Sequence, residues 1–175
     1  LVEANEVGHD SHGLIRLPQY IKNIENGELD PCAQMTTESD TDASVVCDAH
    51  WGFGQVAMQK CSEIAVNKAS KCGVAAVTLR NANHIGRLGS YVNWIAENDM
   101  IGLLFANMHG SGICVIPWGG AAARLGTNPL AAGLPRAGGD PIVLDMTTSV
   151  VAEGKVRVQR NRGEPVPDGW ITDSV

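Results

Sequence analysis

The stretch Val74 to Gly89, VAAVTLRNANHIGRLG, constrains this chain most. It opens on an almost wholly apolar run, Val74 to Leu79, which follows Gly73 and gives way to polar residues. That pattern marks a short buried strand. A helical pattern resumes at Ser90, so Arg80 to Gly89 form the loop that leaves the strand's end. His84 lies in this loop, with Asn81 and Asn83 before it and Gly86 and Gly89 after it. Loops carried by rigid elements hold a large share of catalytic groups, and glycine lets backbone and ligand approach closely. An imidazole titrates near neutral pH and exchanges a proton at little cost. Two readings stand at this point: a general acid–base, or a loop histidine that only hydrogen-bonds its neighbours.

A βαβαβ alternation surrounds the loop and predicts α/β layering. Ser44 to Cys47 reads as a strand and Trp51-Gly52-Phe53-Gly54 as a turn. The next helix runs to Lys71, with Ala57, Cys61, Ile64, Ala65, Lys68 and Cys72 on one stripe, so Cys61 and Cys72 read as core. Ser90 to Asn98 is a short helix that buries Val92 and Ile95, and Ile101 to Ala106 is a second buried strand. Upstream, residues 30 to 43 are polar and read as a loop. Before them Leu14, Leu17, Ile21 and Ile24 recur at helical spacing up to Gly27, with Ser11 as N-cap. Pro18 counts against this helix, because an interior proline removes a hydrogen bond and kinks it. If the helix is continuous, His12, Arg16, Tyr20 and Asn23 share the face opposite the leucines, either solvent or a site. Residues 107 to 141 are crowded with glycine and proline and predict turns rather than helices. Ile142 to Leu144 is another short strand ending on Asp145, Ser149 to Arg160 is helical, and residues 161 to 170 form a loop.

Composition narrows the function classes. The net charge is −6, and no Lys/Arg cluster exceeds what a solvated face needs, so nucleic acid is not the expected partner. No apolar run approaches the ~20 residues that span a bilayer, and the start lacks a signal-peptide pattern. The five cysteines contain no CxxC and read as reduced thiols, which predicts a cytoplasmic protein. The chain opens on Leu1 and stops at Val175 just after a turn-like run, and so reads as a fragment.

Common chemical motifs are missing. There is no GxGxxG after a strand, no GxxxxGK[ST] and no GxSxG elbow. His9, Asp10 and His12 are potential metal ligands, but they lack the HExxH spacing, and adjacent side chains point apart. No metal site is therefore expected; a metal-dependent hydrolase or lyase built on these three is the alternative. Asn128 in Gly126-Thr127-Asn128-Pro129 reads as an Asx-turn or a ligand contact, and Asp145 as a helix cap or a ligand contact.

Five short motifs occur in register: Ser-His-Gly with Arg16 and Tyr20; Asn83-His84 with Gly86; Pro117-Trp118-Gly119-Gly120; Gly126-Thr127-Asn128-Pro129; and Leu144-Asp145-Met146-Thr147. Together they resemble the malate/L-lactate dehydrogenase family of NAD(P)-dependent oxidoreductases, from about His9 to Trp170. That family also contains ureidoglycolate and sulfolactate dehydrogenases and Δ1-piperideine-2-carboxylate reductases. The resemblance implies a non-Rossmann α/β (α+β) fold, with a mixed-sheet domain, flanking helices and an incomplete helical domain. Residues 1–43 would be the helical part of the substrate side, 44–160 the mixed-sheet cofactor-binding domain, and 161–175 a loop toward an absent C-terminal part. It implies NAD or NADP as cofactor, a 2-hydroxy acid or 2-oxo acid as substrate, and a homodimer. By position, His84 matches the family's catalytic proton acceptor and donor. Ser11, His12, Arg16 and Tyr20 match the substrate-binding segment. Asp145, Met146 and Thr147 match a cofactor-binding triplet, with Asn128 nearby. The loop Asn107 to Gly112 is longer than the family's usual one, and Ser111 is favoured over Met108 as its cofactor contact. An inactive fragment serving only as a dimerisation unit is a third reading.

Overall fold

The computed structural model describes residues 1–108 and 112–172. A short helix α1 (Val2–Glu6) leads through two 3-10 turns, Asp10–His12 and Leu14–Arg16, into helix α2 (Leu17–Glu25). Pro18 falls in the first turn of α2, where a backbone N–H would have no helical partner, so it costs no hydrogen bond. Of the two faces of this segment, the polar one is buried. Leu14, Leu17, Ile21 and Ile24 lie exposed, whereas Arg16 and Tyr20 are 7% and 4% exposed. The polar face can be buried because its polar atoms find partners, as described below.

Strand β1 (Thr36–Asp40) falls where only a loop was expected. Its five residues are all exposed, so no apolar alternation announces it. It is held by antiparallel backbone pairing to β2 (Ser44–Asp48), with an irregularity between Thr37 and Ser39. Helix α3 (Gly54–Cys72) carries the chain over to β3 (Ala76–Arg80), which runs parallel to β2 with Val45 opposite Val77 and Cys47 opposite Leu79. Cys61 is buried in the core under this sheet, with Val45, Cys47, Met58 and Tyr91. Cys72, expected in the same core, is exposed at the last turn. The described cysteines are all free thiols.

Helix α4 (Leu88–Glu97) follows the His84 loop, and β4 (Gly102–Phe105) follows α4. β4 does not extend the first sheet as a simple βαβαβ would require. It starts a second antiparallel one, in the order β4, β5 (Leu130–Leu134), β6 (Ile142–Met146). β5 falls in the segment expected to hold only turns; its small residues, Ala131 and Gly133 among them, hid the strand pattern. α4 packs on one face of this sheet, burying Leu88 and Val92 against Ala131. Ile85 and Leu104 touch both cores and join the two sheets into one body. The other face, Leu103 and Phe105 on β4 with Ile142, Leu144 and Met146 on β6, is apolar and exposed. Helix α5 (Glu153–Arg162) then returns to pack on the Asp10–His12 turn. No helix among the described residues is long and apolar enough to cross a membrane.

Candidate active site

The loop from Asn81 to Arg87 is pinned before any ligand arrives. The Asn81 amide donates to Asp48 Oδ2 at 2.7 Å, and Asn83 Nδ2 donates to the carbonyls of Glu28 (3.0 Å) and Trp51 (2.6 Å). The Tyr91 hydroxyl donates to the Ile85 carbonyl. Helix α3 begins hard against the loop. A Cβ on Gly54 would lie 2.1 Å from the Asn83 carbonyl oxygen, so only glycine permits this approach. The approach sets Gln55 beside the histidine.

His84 and His12 come together from opposite ends of the fold. Their rings stack with centroids 5.2 Å apart and an interplanar angle of 25°. Each imidazole is held at Nδ1 by a hydroxyl: Ser11 Oγ lies 3.0 Å from His12, and Tyr20 Oη lies 2.7 Å from His84. Gln55 Nε2 donates in turn to Tyr20 Oη at 2.6 Å. The His9 ring meets His12 edge-on at 4.7 Å. Burial pushes the His12 pKa down to about 3, helped by the neighbouring His84, His9, Arg16 and Arg87. Burial, then Arg16 and Arg157, pushes His84 down to about 4. Both rings are therefore neutral at pH 7. Burial also raises the Tyr20 pKa, so the phenol keeps its proton.

Arg16 is fixed by its own chain. Its Nε donates to the Ser11 carbonyl at 2.7 Å, Nη1 to Gln19 Oε1 at 2.9 Å, and Nη2 lies 3.6 Å from Glu153 Oε2. Arg157 shares both partners: its Nη1 donates to Gln19 Oε1 at 3.2 Å and its Nη2 to Glu153 Oε1 at 2.9 Å. Helix α5 reaches this position because Gly154 lies against Ser11 and Arg16, where a Cβ would come within 2.7 Å of Ser11 Cβ. The guanidinium is buried, with its donors turned to these partners, and it does not line the cleft described next.

His12, Gln55, Gly86 and Arg87 line a cleft of about 210 Å³ together with Glu3 and Tyr91, and the Arg87 guanidinium donates to Glu3 at 3.0 Å. That is below the ~300–1,000 Å³ of pockets for drug-sized ligands, so it is too small for a whole dinucleotide. His84 stacks behind His12 and is not a lining residue. Another cleft, bounded by Pro31, Met35, Phe53 and Lys60, holds no acid–base pair.

The segments expected to hold cofactor fall into two groups. Asn128, at φ +36°, accepts the Met108 N–H on its side-chain oxygen at 3.3 Å. Thr147 Oγ1 donates to the Thr127 carbonyl at 2.9 Å, and Thr148 Oγ1 to the Asn128 carbonyl at 2.9 Å. These contacts make one ledge of residues 127–128 and 147–148. Met146 is exposed at the end of β6, so the ledge pairs an apolar surface with amide and hydroxyl groups. The two hydroxyls are spent on these carbonyls, so the exposed Met146 and the Asn128 amide are what the ledge offers to a nicotinamide ring and its carboxamide. Asp145 points the other way. Its Oδ2 accepts the Gly89 N–H at 2.7 Å, at the start of α4, and lies 4.0 Å from Arg87 Nε. Ser111 lies outside the described residues, whereas Met108 Sδ accepts from Thr127 Oγ1 at 3.2 Å.

His9 and His12 meet, but Asp10 does not join them. Asp10 turns to the Asn5 amide at 2.7 Å and to Arg162 at 3.5 Å. Among the described residues no three His, Cys, Asp or Glu groups are placed to share a metal ion.

Gln19, Gln55, Arg87, Glu153 and Arg157 belong to the site but escaped the reading of the sequence. Arg87 carried a signal, a cation between Gly86 and Gly89 just past His84. Gln55 and Arg157 carried none, since each sits on a helix whose contacts depend on the tertiary fold.

Small sheets flanked by helices, a paired histidine and a fixed arginine define a mixed α/β protein without a Rossmann turn. The profile of the malate/L-lactate dehydrogenase family matches residues 1–175, and the chain belongs to that family. It is 37% identical over 173 residues to hydroxycarboxylate dehydrogenase B of Escherichia coli K12, covering 99% of this chain and 48% of that protein. It is 39% identical over 174 residues to a malate dehydrogenase of Pyrococcus abyssi, covering 99% of this chain and 47% of that protein. Its fold matches the crystal structure of malate dehydrogenase from Entamoeba histolytica with a TM-score of 0.93 at 32% identity, over 99% of this chain and 48% of the other. The chain thus spans about half the length of the relatives it matches.

Proposed function

We propose that this chain forms the proton-handling and acid-binding part of an NAD(P)-dependent oxidoreductase that interconverts a 2-hydroxy acid and a 2-oxo acid. The observation that carries the reading is the stacked pair His12 and His84 beside the buried Arg16. Arg16, held close to both rings, is the cation proposed to orient the substrate carboxylate, a bidentate task for which lysine is a poor substitute. His84 takes the hydroxyl proton in oxidation and returns it to the developing alkoxide in reduction. Its lowered pKa keeps it neutral, and so ready to accept, at pH 7. Nicotinamide, when bound, supplies the hydride acceptor or donor. Asn128, Met146 and Thr147 would hold it on their ledge, with Ser111 or Met108 as the contact from the neighbouring loop. Asp145 supports the ledge from behind by anchoring α4.

A second reading makes His12 the proton acceptor, because it lines the cleft and His84 does not. Malate- and lactate-like acids are the substrate class that both readings share. A homodimer in the cytoplasm completes the proposal.

The test is a panel of 2-oxo acids with NADH and NADPH, followed at the nicotinamide absorbance. Oxidation of one reduced cofactor that depends on a 2-oxo acid is expected. No turnover with any 2-oxo acid and either cofactor would overturn the reading. Turnover that is lost in His12→Ala but kept in His84→Ala would select the second reading.

A further inference from the structure

We infer that Gln55, acting through Tyr20, sets which ring nitrogen of His84 carries the proton, and that turning its amide switches Nε2 between donor and acceptor. The inference rests on the reading of His84 as the proton carrier.

The hydrogen-bond chain is short and closed. Gln55 Nε2 donates to Tyr20 Oη at 2.6 Å, and Tyr20 Oη lies 2.7 Å from His84 Nδ1. A phenol has one proton. Tyr20 is 4% exposed, so its O–H must find a protein partner, and leaving it unpaired would cost the full desolvation of a buried donor. With the amide nitrogen already donating to the oxygen, the O–H goes to His84 Nδ1. Nδ1 is then an acceptor, and the neutral ring carries its proton on Nε2.

That polarity cannot take a proton from a hydroxyl, because Nε2 is already occupied. Rotating the Gln55 amide end for end brings Oε1 to Tyr20. The phenol then donates to Gln55, Nδ1–H donates to the phenol, and Nε2 exposes a lone pair. A hydroxyl proton can move to Nε2 while the hydride leaves for nicotinamide, and the resulting imidazolium keeps both N–H groups satisfied. The reverse step returns the Nε2 proton to the alkoxide. Glutamine suits this position because its amide carries a donor and an acceptor on one carbon and a half-turn exchanges them. Gly54 fixes where Gln55 starts, and Gly86 lies against its stem, 3.3 Å from Gln55 Cγ to a built Cβ. Gln55 is therefore a positioning residue.

The groups facing His84 are His12 from the first 3-10 turn, Arg16 and Tyr20 around the start of α2, and Arg157 from α5. Among these only Tyr20 bonds to Nδ1, so a change at Gln55 is read through a single link.

The experiment is nitrogen-15 NMR of His84, with its pH titration, in the wild-type protein and in Gln55→Glu and Tyr20→Phe. The wild type is expected to show the Nε2–H tautomer. In Gln55→Glu the new carboxylate only accepts, so the tautomer should invert to Nδ1–H and the His84 pKa should rise by about one pH unit. Tyr20→Phe removes the link and should give a mixture of tautomers. A wild-type Nδ1–H tautomer overturns the inference. So does an unchanged tautomer in a folded Gln55→Glu variant, or, if that variant does not fold, in Tyr20→Phe. These readouts do not depend on turnover. Loss of the inference leaves His84→Ala kinetics unaffected, and near-normal His84→Ala turnover would instead remove the functional reading.

Discussion

At the residue scale, two neutral imidazoles packed face to face carry a consequence for stability. The folded pKa values of His12 and His84, about 3 and about 4, lie below the ~6.5 of an unfolded histidine. Between those limits the unfolded chain binds more protons than the folded one, so stability rises with pH there. The contribution is complete above about pH 6.5 and is lost as the pH falls toward 4 and then 3. Thermal unfolding should show a midpoint that drops steadily over this range, and His12→Asn should flatten the drop; a midpoint independent of pH between 4 and 6.5 would contradict the buried pair. A second outcome concerns Arg16. Arg16→Lys removes the planar fork and should raise KM for the 2-oxo acid well beyond any change in NADH affinity, as separate titrations would reveal. Equal effects on both would make Arg16 a purely structural residue. Residue type and spacing left His84 open between a proton carrier and a loop histidine, and His12, Arg16 and Tyr20 between a site and a solvated face; the family resemblance singled them out, and the structure brings them together. Their mutual contacts were not legible in the sequence, since 64 residues separate Tyr20 from His84.

At the scale of elements, α2 shows why apolar periodicity alone does not say which face is buried. The stripe Leu14, Leu17, Ile21 and Ile24 has the spacing of a buried face, yet it is the outer one. A helix buries the face whose groups are satisfied, and here Ser11, Gln19, Gln55 and His84 satisfy Arg16 and Tyr20. β1 and β5 were missed for a related reason: one is wholly exposed and the other built from small residues, so neither shows an alternating pattern. The order strand–helix–strand from Ser44 to Arg80 was readable, but the run from Val74 read as a buried strand is half open: Val74 is exposed, β3 starts at Ala76, and only Val77 and Leu79 turn to the core, partly buried. Helix α4 lacks a side-chain cap from its own N-cap residue, Arg87, and Asp145 fills that place from β6. Asp145→Ala should therefore destabilise the fold by about 1 kcal/mol, the usual worth of such a cap, measured as a shift in denaturant midpoint. An unchanged midpoint would mean that the carboxylate does not serve α4.

At the scale of the whole molecule, one sheet face and one helix stripe remain apolar and uncovered. Leu103 and Phe105 are 63% and 69% exposed, and Ile142, Leu144 and Met146 continue the patch across the sheet. Patches of this kind bind hydrophobic dyes and promote association. The 175-residue chain in isolation should enhance the fluorescence of anilinonaphthalene sulfonate, and the double substitution Phe105→Lys with Leu144→Lys should reduce that signal several-fold. Equal fluorescence from both proteins would mean that the face is covered in solution. The proposed reaction depends on a proton passing through the imidazole of His84 while the cofactor carries the hydride. The most direct test compares wild type and His84→Ala in steady-state turnover of a 2-oxo acid, with NADH and NADPH affinity titrated separately. The expected result is a kcat lower by ~100-fold or more with cofactor affinity preserved, the usual scale of a lost general acid–base. Turnover within a few-fold of wild type would contradict the claim.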